Sequence, residues 1–269
     1  MDAARMSNPP VIIIPVYMKS HNDWDITWRC VESIRSSIGF ETPIILVDDG
    51  SPWLEGRELV WQSRHVEMNI DAHLSDENQG FSHAVNVGLR WASDYNYDAV
   101  LVNADMEFFS DTWLSALSEA AYTEEADVVG GLLLYPSGLI QHAGIYFSVI
   151  TRFYDHIYRF APPDLPAAQK MRVCPVTGAL QYIKHDTIRR VGFYDEDFKL
   201  GWEDVDYCLR VFQAGGKCLY TPHALAIHYE STFRSAPEFT ERQAESHRYL
   251  MQKHDGEDIT FMSSMLTSI

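Results

Sequence analysis

Residues 11–17, Val-Ile-Ile-Ile-Pro-Val-Tyr, form the stretch that decides the fold. Their density of β-branched side chains predicts a buried strand, and residues 26–38 have the apolar spacing of a helix. This alternation recurs along the first half of the chain, with predicted strands at 43–47 and 99–102 and predicted helices at 81–93 and 111–121. Strands that alternate with helices are typical of an α/β fold, in which a mostly parallel central sheet is flanked by helices on both faces.

The second half of the chain is more mixed. It contains predicted strands at 128–135, 139–150, 177–183, 217–220 and 224–228, and predicted helices at 204–214 and 238–253. Residues 154–172 include three prolines and are predicted to be a long loop. Because no glycine- or serine-rich linker divides the 269 residues, we expect a single domain. Its expected limits are an N-terminal tail at 1–10, the domain at 11–234 and a C-terminal helical extension at 235–269.

The chain is strongly acidic, with 38 Asp and Glu against 21 Lys and Arg and a formal net charge of −17. Such a charge repels polyanions, so direct nucleic-acid binding is not expected. A phosphorylated substrate would in turn need a local positive centre, most simply a divalent metal ion. The four cysteines occur singly, and residues 1–10 have no apolar run of the signal-peptide type. These features predict a cytoplasmic protein with reduced thiols and without a transmembrane segment.

Polar residues follow each of the three predicted parallel strands. Parallel sheets bind ligands where the carboxyl ends of strands open into loops, here at Pro15-Val-Tyr17, Asp48-Asp-Gly50 and Asn103-Ala-Asp105. A carboxylate at such an end, as in Asp105, can bind a hard cation through oxygen, and Asp48 or Asp49 could accept hydrogen bonds from a base or a ribose. Taken alone, each of these acids is better explained as a turn residue.

Two further polar sites occur in the second half. Glu203 and Asp204 lie at the start of a predicted helix, where the positive end of the helix dipole keeps a carboxylate ionised and competent as a general base; helix capping is the alternative. Trp202 beside them offers an aromatic face to a sugar or a base, or belongs to the core. His228 ends a short predicted strand, and a neutral imidazole there is either a ligand for Mn²⁺ or Zn²⁺ or a structural residue.

Nine or so short segments, taken together and in order, are similar to one known family. They include Val47-Asp-Asp-Gly-Ser51, Leu101-Val-Asn-Ala-Asp105, Gln141-His-Ala-Gly144, Trp202-Glu-Asp-Val-Asp206 and His228-Tyr-Glu-Ser231. With these segments, which extend from about residue 11 to about residue 234, the chain resembles the family 2 glycosyltransferases of the GT-A fold. Within that family it is similar to the branch for O-antigen and rhamnosyl-type transfer.

The resemblance implies a role for each matching residue. Residues 11–105 would be the nucleotide-binding half and residues 106–234 the acceptor and catalytic half. The implied metal ligands are Asp105 and His228, and Asn103 replaces the first acid of the family's metal motif. The implied catalytic residues are Asp204, as the base, and Glu203, and the implied contacts to sugar or acceptor are Trp202 and Gly178. The implied nucleotide and donor contacts are Pro15, Val16, Tyr17, Asp48, Asp49, Asn78, Gly80, Asn86, Asn103 and Ala104.

The activity that the resemblance implies is metal-dependent, inverting sugar transfer. With Mn²⁺ or Mg²⁺ as cofactor, such an enzyme would move a sugar from a UDP- or dTDP-linked donor to an acceptor hydroxyl. The acceptor could be a saccharide, a lipid-linked molecule, a protein or a small molecule. Arg234 could bind phosphate, and the loop at 154–172 could form an acceptor wall or a lid.

Two alternatives stay open from the sequence. A sugar-nucleotide nucleotidyltransferase has a similar sheet, but residues 15–19 lack the glycine-rich basic loop usual in that class. A non-catalytic sugar-binding protein on the same fold is the second, and the joint presence of Asp105, Asp204 and His228 counts against it. The glycines around residue 80 match neither the phosphate loop of P-loop NTPases nor the GxGxxG fingerprint of Rossmann dehydrogenases, which excludes the first class and disfavours the second.

Overall fold

The β-branched run near the start of the chain lies in strand β1 (Pro10–Val16), at the centre of a ten-stranded sheet. The computed structural model describes residues 8–65, 67–230 and 237–254. The other strands are β2 (Ile44–Asp48), β3 (Ile70–Leu74), β4 (Asp98–Val102), β5 (Met106–Glu107), β6 (Val128–Leu134), β7 (Ile140–His142), β8 (Ile145–Ser148), β9 (Phe153–His156), β10 (Arg172–Val173), β11 (Leu180–Ile183) and β12 (Cys218–His228). The helices are α1 (His21–Ile38), α2 (Leu54–Gln62), α3 (Phe81–Tyr95), α4 (Trp113–Thr123), α5 (His185–Val191), α6 (Glu203–Gln213) and α7 (Pro237–Lys253).

The central sheet is mostly parallel. Strand β1 lies between β2 and β4, β3 follows β2 at one edge, and these four strands run in the same direction. Strand β11 is inserted antiparallel between β4 and β6, whereas β12 is parallel to β6. Strands β5, β7 and β10 add short antiparallel pairs to the far side of the sheet, and β8 and β9 form a separate hairpin.

Both faces of the sheet are covered by helices, and the residues of β1 point alternately to the two faces. Ile12 and Ile14 pack in one apolar cluster with α1 and α4. Val11 and Ile13 pack in a second cluster with α3, α5 and α6. Burial on both faces explains why β1 is a continuous apolar run and not an alternating one. The predicted α/β fold, with a mostly parallel sheet and flanking helices, is therefore confirmed.

Helix α7 packs on the main body of the protein. Its Leu250 is fully buried, in a cluster with Val205 and Leu209 of α6 and with Tyr154 of β9. The predicted domain limits stay predictions, and residues 255–269 of the predicted C-terminal extension lie outside the described residues. None of the described helices has both the length and the apolar character that crossing a membrane requires.

Three helices differ from the prediction, namely α1 in its limits, and α2 and α5, which the apolar periodicity does not predict. Helix α1 begins at His21. The prediction begins only at residue 26, because the first turn of the helix is polar and lacks the apolar spacing by which a helix is recognised. That turn is stabilised by Asp23, whose carboxylate accepts a hydrogen bond from the backbone N–H of Ser20 at 2.9 Å. Helix α2 is absent from the prediction, since it buries only Gly56 and Val60 and has no apolar stripe.

Three predictions in the second half are also wrong in detail. The predicted strand at 139–150 is two strands, β7 and β8, which belong to different sheets. The predicted strands at 217–220 and 224–228 are one strand, β12, whose pairing with β6 is interrupted between Tyr220 and Leu225. A proline at 222 within this interruption makes one strand look like two. The predicted loop at 154–172 begins as a strand, because residues up to His156 belong to β9 and pair with β8.

Candidate active site

A cleft of 220 Å³ opens at the carboxyl ends of β1 and β4. Five residues predicted for donor and metal binding line it, namely Pro15, Tyr17, Asn103, Ala104 and Asp105. Its other lining residues, which the sequence does not indicate, are Asp23, Ile26 and Thr27 of α1 and Phe81 of α3. A larger cavity of 680 Å³ lies at the opposite end of the sheet, where β2 and β3 begin, and its described lining residues include no predicted site residue. The smaller cleft is therefore the candidate site.

The two predicted metal ligands lie next to each other beside this cleft. Asp105 is in the turn between β4 and β5, and His228 is the last residue of β12. Strands β5 and β12 pair antiparallel, with His228 opposite Met106, and the backbone N–H of Tyr229 donates to the carbonyl of Asp105 at 3.0 Å. As a result, Nε2 of His228 lies 3.1 Å from Oδ1 of Asp105. The sheet thus joins two residues that are 123 positions apart, by subtraction of their residue numbers.

The donor atoms at this point fit a divalent metal ion. A carboxylate oxygen and an imidazole nitrogen suit Mn²⁺ better than Mg²⁺, which takes oxygen ligands almost exclusively. Nδ1 of His228 is 2.7 Å from Oε1 of the buried Gln141, which fixes the ring with Nε2 directed at Asp105. Within the described residues no group of three or more His, Cys, Asp or Glu could hold a metal. Substrate phosphates and water would therefore complete the coordination of an ion bound here.

Asp48 and Asp49 tie the loops at the ends of β2 and β3 together. Asp48 is fully buried, accepts hydrogen bonds from Ser51 and is 3.4 Å from Nε of Arg57. Burial raises the pKa of the Asp48 carboxyl, and Ser51 and Arg57 only partly oppose this effect. Asp49 accepts backbone hydrogen bonds from Gln79 at 3.0 Å and from Gly80 at 2.8 Å. Contact of either acid with a nucleotide stays a prediction.

Gly50 is required where these two loops meet. Its φ is +63°, and an added Cβ would lie 2.2 Å from the backbone carbonyl carbon of Glu77. A side chain at position 50 would separate the Asp48–Asp49 turn from the loop that contains Asn78, so the two predicted nucleotide-binding segments depend on this glycine.

The remaining predicted donor residues have roles within the fold. Asn86 is buried, and its amide group bonds to both backbone groups of Tyr194 and to Glu196, so it ties α3 to the loop after α5. Val16 is buried and its carbonyl accepts the backbone N–H of Asp49. Donor contacts by Asn86, Val16, Asn78 and Gly80 stay predictions.

The turn that precedes α6 orients the side chain of Asp204. Trp202, with a φ of +73°, precedes this helix, and Asp204 is the helix's second residue. Oδ2 of Asp204 accepts the backbone N–H of Gly178 at 2.9 Å, and Oδ1 accepts that of Val205 at 2.8 Å. Burial raises the pKa of the Asp204 carboxyl, which the hydrogen bonds from Gly178, Val205 and Thr177 only partly offset. A raised pKa brings a carboxylate closer to the range in which it can accept a proton from a substrate.

Gly178 connects Asp204 with the cleft. The backbone N–H of Asn103 donates to the carbonyl of Ala179 at 3.0 Å, so the metal-site turn runs beside the segment that bonds Asp204. A Cβ built on Gly178 would lie 3.2 Å from Cβ of Asp204 and 3.7 Å from the ring of Phe81, which lines the cleft. The predicted base, the predicted contact residue Gly178 and the cleft are therefore contiguous.

Trp202 belongs to an aromatic cluster at the other side of Asp204. Its ring is 5.9 Å from that of Phe153 and 5.3 Å from that of His247, and its indole N–H donates to the carbonyl of Gln243 at 3.2 Å. Trp202 and Glu203 are both half-buried, and their contacts with a sugar or an acceptor stay predictions. Arg234, predicted to bind phosphate, lies outside the described residues.

The sequence does not indicate that Gln141, Thr177 and Phe81 lie at the candidate site. Gln141 and Thr177 belong to segments that resemble the family, Gln141-His-Ala-Gly144 and Thr177-Gly-Ala179, but neither has a spacing that predicts chemistry. Phe81 follows Gly80 at the start of a helix and has the pattern of an ordinary core residue. For all three, only the fold shows what the side chain contacts.

Comparison with known proteins agrees with this geometry. Residues 11–146 match the model of the family described as Glycosyl transferase family 2. The chain is 29% identical over 171 residues to an O-antigen biosynthesis protein of Myxococcus xanthus, an alignment that covers 56% of this chain and 13% of that protein. It is 22% identical over 270 residues to an N-acetylglucosaminyl-diphospho-decaprenol L-rhamnosyltransferase of Mycobacterium tuberculosis, which covers 91% of this chain and 86% of that protein.

A solved structure shows the same fold at low sequence identity. The crystal structure of GalNAc-T7 with UDP, GalNAc and Mn²⁺ superposes with a TM-score of 0.68 and 15% identity, over 94% of this chain and 49% of that chain. An uncharacterized protein of Sinorhizobium fredii is 28% identical over 251 residues, which is 90% of this chain and 27% of that protein. The chain thus spans about a quarter of the Sinorhizobium protein and about an eighth of the Myxococcus protein.

Proposed function

Because the chain belongs to glycosyl transferase family 2, we propose that it transfers a sugar from a nucleoside-diphosphate donor to an acceptor hydroxyl, with inversion at the anomeric carbon. The observation that carries this proposal is the pairing of Asp105 with His228 beside the cleft. UDP- and dTDP-linked sugars are the proposed donors. The proposed compartment is the cytoplasm, which the four free and buried cysteines support.

On the donor side, the cleft would receive the nucleotide diphosphate. Asp105 and His228 would hold Mn²⁺ or Mg²⁺, and the bound ion would supply positive charge to the leaving diphosphate. Pro15 and Tyr17 form the wall of the cleft at the end of β1. Asn103 also supports diphosphate binding in this cleft. An amide in place of a carboxylate removes one negative charge from the place where a diphosphate would bind.

On the acceptor side, Asp204 would take the proton of the attacking hydroxyl. The backbone N–H groups of Gly178 and Val205 orient its carboxylate. The acceptor oxygen forms a bond to the anomeric carbon as the bond from that carbon to the diphosphate breaks. A single displacement from the opposite face inverts the configuration. Trp202 and Glu203, next to Asp204 in sequence, are proposed to contact the acceptor or the sugar.

The comparisons support saccharide chemistry. The Myxococcus relative is named for O-antigen biosynthesis and the Mycobacterium relative for rhamnosyl transfer. The structural neighbour was solved with UDP, GalNAc and Mn²⁺, which supports a diphosphate donor and a metal of this kind. A saccharide, alone or on a lipid carrier, is the proposed acceptor.

The test begins with donor binding. We expect a panel of nucleotide sugars to raise the melting temperature of the protein only in the presence of Mn²⁺, since a ligand that binds the folded state stabilises it by mass action. The stabilising donor is then used in turnover assays with Asp204→Asn and Asp105→Ala. Asp204→Asn should bind the donor with Mn²⁺ and yet lose at least about 10²-fold in kcat, the usual contribution of a general base. Asp105→Ala should lose the Mn²⁺-dependent stabilisation.

Full turnover by Asp204→Asn would refute its role as the base. Donor binding that is unaffected by EDTA and by Asp105→Ala would refute the metal assignment. Formation of a nucleotide sugar, with release of pyrophosphate, from a nucleoside triphosphate and a sugar 1-phosphate would identify a nucleotidyltransferase. His73→Ala serves as a control for the removal of a potential metal ligand elsewhere, since this residue lies in the edge strand β3.

A further inference from the structure

Gln141 lies directly behind the imidazole of His228. It is in β7, 4% exposed, and its Oε1 is 2.7 Å from Nδ1 of His228. Its amide nitrogen Nε2 donates to Oε2 of Glu230 at 3.2 Å. The side chain therefore connects the predicted metal ligand to a carboxylate two residues further along the chain.

The chemistry of these groups fixes the direction of both hydrogen bonds. An ionised carboxylate can only accept, so the Gln141 amide must direct its N–H toward Glu230 and its Oε1 toward His228. An amide oxygen can also only accept, so Nδ1 of His228 must carry a proton. Nε2 faces the other way, 3.1 Å from Oδ1 of Asp105 and 3.4 Å from the amide nitrogen of Asn103, on the side where a metal would bind.

Glu230 is itself oriented by the segment that precedes β10. The Tyr135 hydroxyl hydrogen-bonds to Glu230, and Nε of Arg159 donates to the Tyr135 oxygen at 2.8 Å. Nη2 of Arg159 is also 3.9 Å from Oε1 of Glu230, and the guanidinium lies 5.2 Å from the centre of the Phe160 ring. The Tyr135 hydroxyl and the Arg159 guanidinium therefore hold the Glu230 carboxylate beside the Gln141 amide.

We propose that Gln141 is a positioning residue, which accepts the Nδ1–H of His228 and so presents Nε2 to a divalent metal. Glu230, held by Tyr135 and Arg159, sets the orientation of the Gln141 amide. This inference rests on the proposed function of His228 as a metal ligand. Partners that fix the far nitrogen of a metal-bound histidine raise metal affinity by about 10–100-fold in other proteins.

The test measures the tautomer of His228 without any metal. Long-range ¹H–¹⁵N spectra of protein with ¹⁵N-labelled histidine, at about pH 8 where an unperturbed ring is neutral, distinguish the two tautomers, and His228→Ala assigns the signal. The spectra are recorded on Asp105→Ala, which lacks the carboxylate that competes for Nε2. We expect the Nδ1–H form in this variant and a shift toward the Nε2–H form when Gln141→Leu is added. Mn²⁺ affinity, measured by electron paramagnetic resonance with UDP and separately with dTDP, should fall by about 10–100-fold in Gln141→Leu.

Exchange of the side chains at positions 141 and 230 tests the direction of their hydrogen bonds. Gln141→Glu alone places two carboxylates against each other and should lower Mn²⁺ affinity. The double variant Gln141→Glu with Glu230→Gln exchanges the groups, so residue 141 still accepts from His228, and it should restore the affinity and the tautomer. Gln213→Leu is the matched control, because Nε2 of Gln213 lies 3.2 Å from Nδ1 of another histidine, His254. It should leave the His228 signal and the Mn²⁺ affinity unchanged.

Each contrary result overturns a different part of the proposal. An Nε2–H tautomer in Asp105→Ala, or an unchanged tautomer when Gln141→Leu is added to it, overturns the positioning role even if His228→Ala abolishes Mn²⁺ binding. Mn²⁺ binding by His228→Ala at wild-type affinity overturns the proposed metal site and this inference with it. Failure of the double variant to exceed Gln141→Glu in affinity overturns the role of Glu230.

Discussion

At the scale of single residues, Gly178 determines how closely Asp204 approaches the cleft. Its N–H bonds to the Asp204 carboxylate at 2.9 Å, and the space where a Cβ would lie is limited by Asp204 Cβ at 3.2 Å. Gly178→Ala should therefore displace the proposed base without unfolding the chain. Since a displacement of about 1 Å can cost about 10²-fold in rate, we expect kcat to fall by about 10–100-fold in steady-state assays.

Gly138→Ala is the control for this substitution. Gly138 has a φ of +81° with no atom within 4 Å of the position of its Cβ, so the change strains the backbone without moving a neighbour. It should lower the melting temperature and leave kcat unchanged. If Gly178→Ala also retains its kcat, the position of Asp204 does not depend on this glycine.

At the scale of elements, the attachment of α7 to α6 depends on the buried carboxylate of Asp206. Its Oδ1 is 2.8 Å from Nζ of Lys253 and from Nε2 of His254, and its Oδ2 is 2.8 Å from Nε of Arg210. Burial raises the pKa of Asp206, but the hydrogen bond from His254 and the charges of Arg210 and Lys253 lower it by more. The net pKa of the folded state therefore lies below the ordinary value for aspartate.

The lowered pKa of Asp206 determines whether acid raises or lowers the stability of the protein. A carboxyl whose folded pKa is depressed stabilises the protein above its unfolded pKa of about 3.9, and the stability is lost as the pH falls through the folded value. Asp206→Asn removes the only carboxylate that pairs with Arg210 among the described residues and leaves Lys253 with Asp195 alone, so it should cost about 3 kcal/mol at neutral pH. The variant should also lose less stability on acidification than the wild type. Urea unfolding at several pH values measures both effects.

Hydrogen exchange then locates the change. Amides of α7 should exchange faster in Asp206→Asn, whereas those of β1 and β4 should not. Asp25→Asn on α1 is the control, because Asp25 is exposed and its partner His21 is exposed as well. Surface pairs of this kind contribute about 0–1 kcal/mol. Equal stability losses in the two variants would contradict the role of Asp206 in docking α7.

Sequence periodicity predicts the elements whose burial is simple and misses the others. Strands β1, β2 and β4 are buried on both faces, so their apolar runs are unambiguous. Helix α2 buries two residues, and the first turn of α1 binds its own backbone through polar side chains, so neither has an apolar pattern to detect. The candidate site divides in the same way. Strand ends and the resemblance predict both Asp105 and His228 as metal ligands. Their contact and the supporting position of Gln141 are not predicted, because the three residues come from segments far apart in sequence that only the sheet order brings together.

At the scale of the whole molecule, a net charge of −17 opposes the approach of an anionic nucleotide. The screening length is about 30 Å at 0.01 M salt and about 8 Å at 0.15 M, so salt removes the repulsion from distant surface acids and leaves interactions within the cleft nearly unchanged. With Mn²⁺ held constant, the association rate of a fluorescent UDP analogue should therefore rise by about 2–5-fold between these salt concentrations. Stopped-flow fluorescence measures this rate, and KCl and NaCl should act alike because screening depends on ionic strength. A rate that falls with salt would mean that a basic path leads to the cleft, and the metal would then not be the main positive centre for the diphosphate.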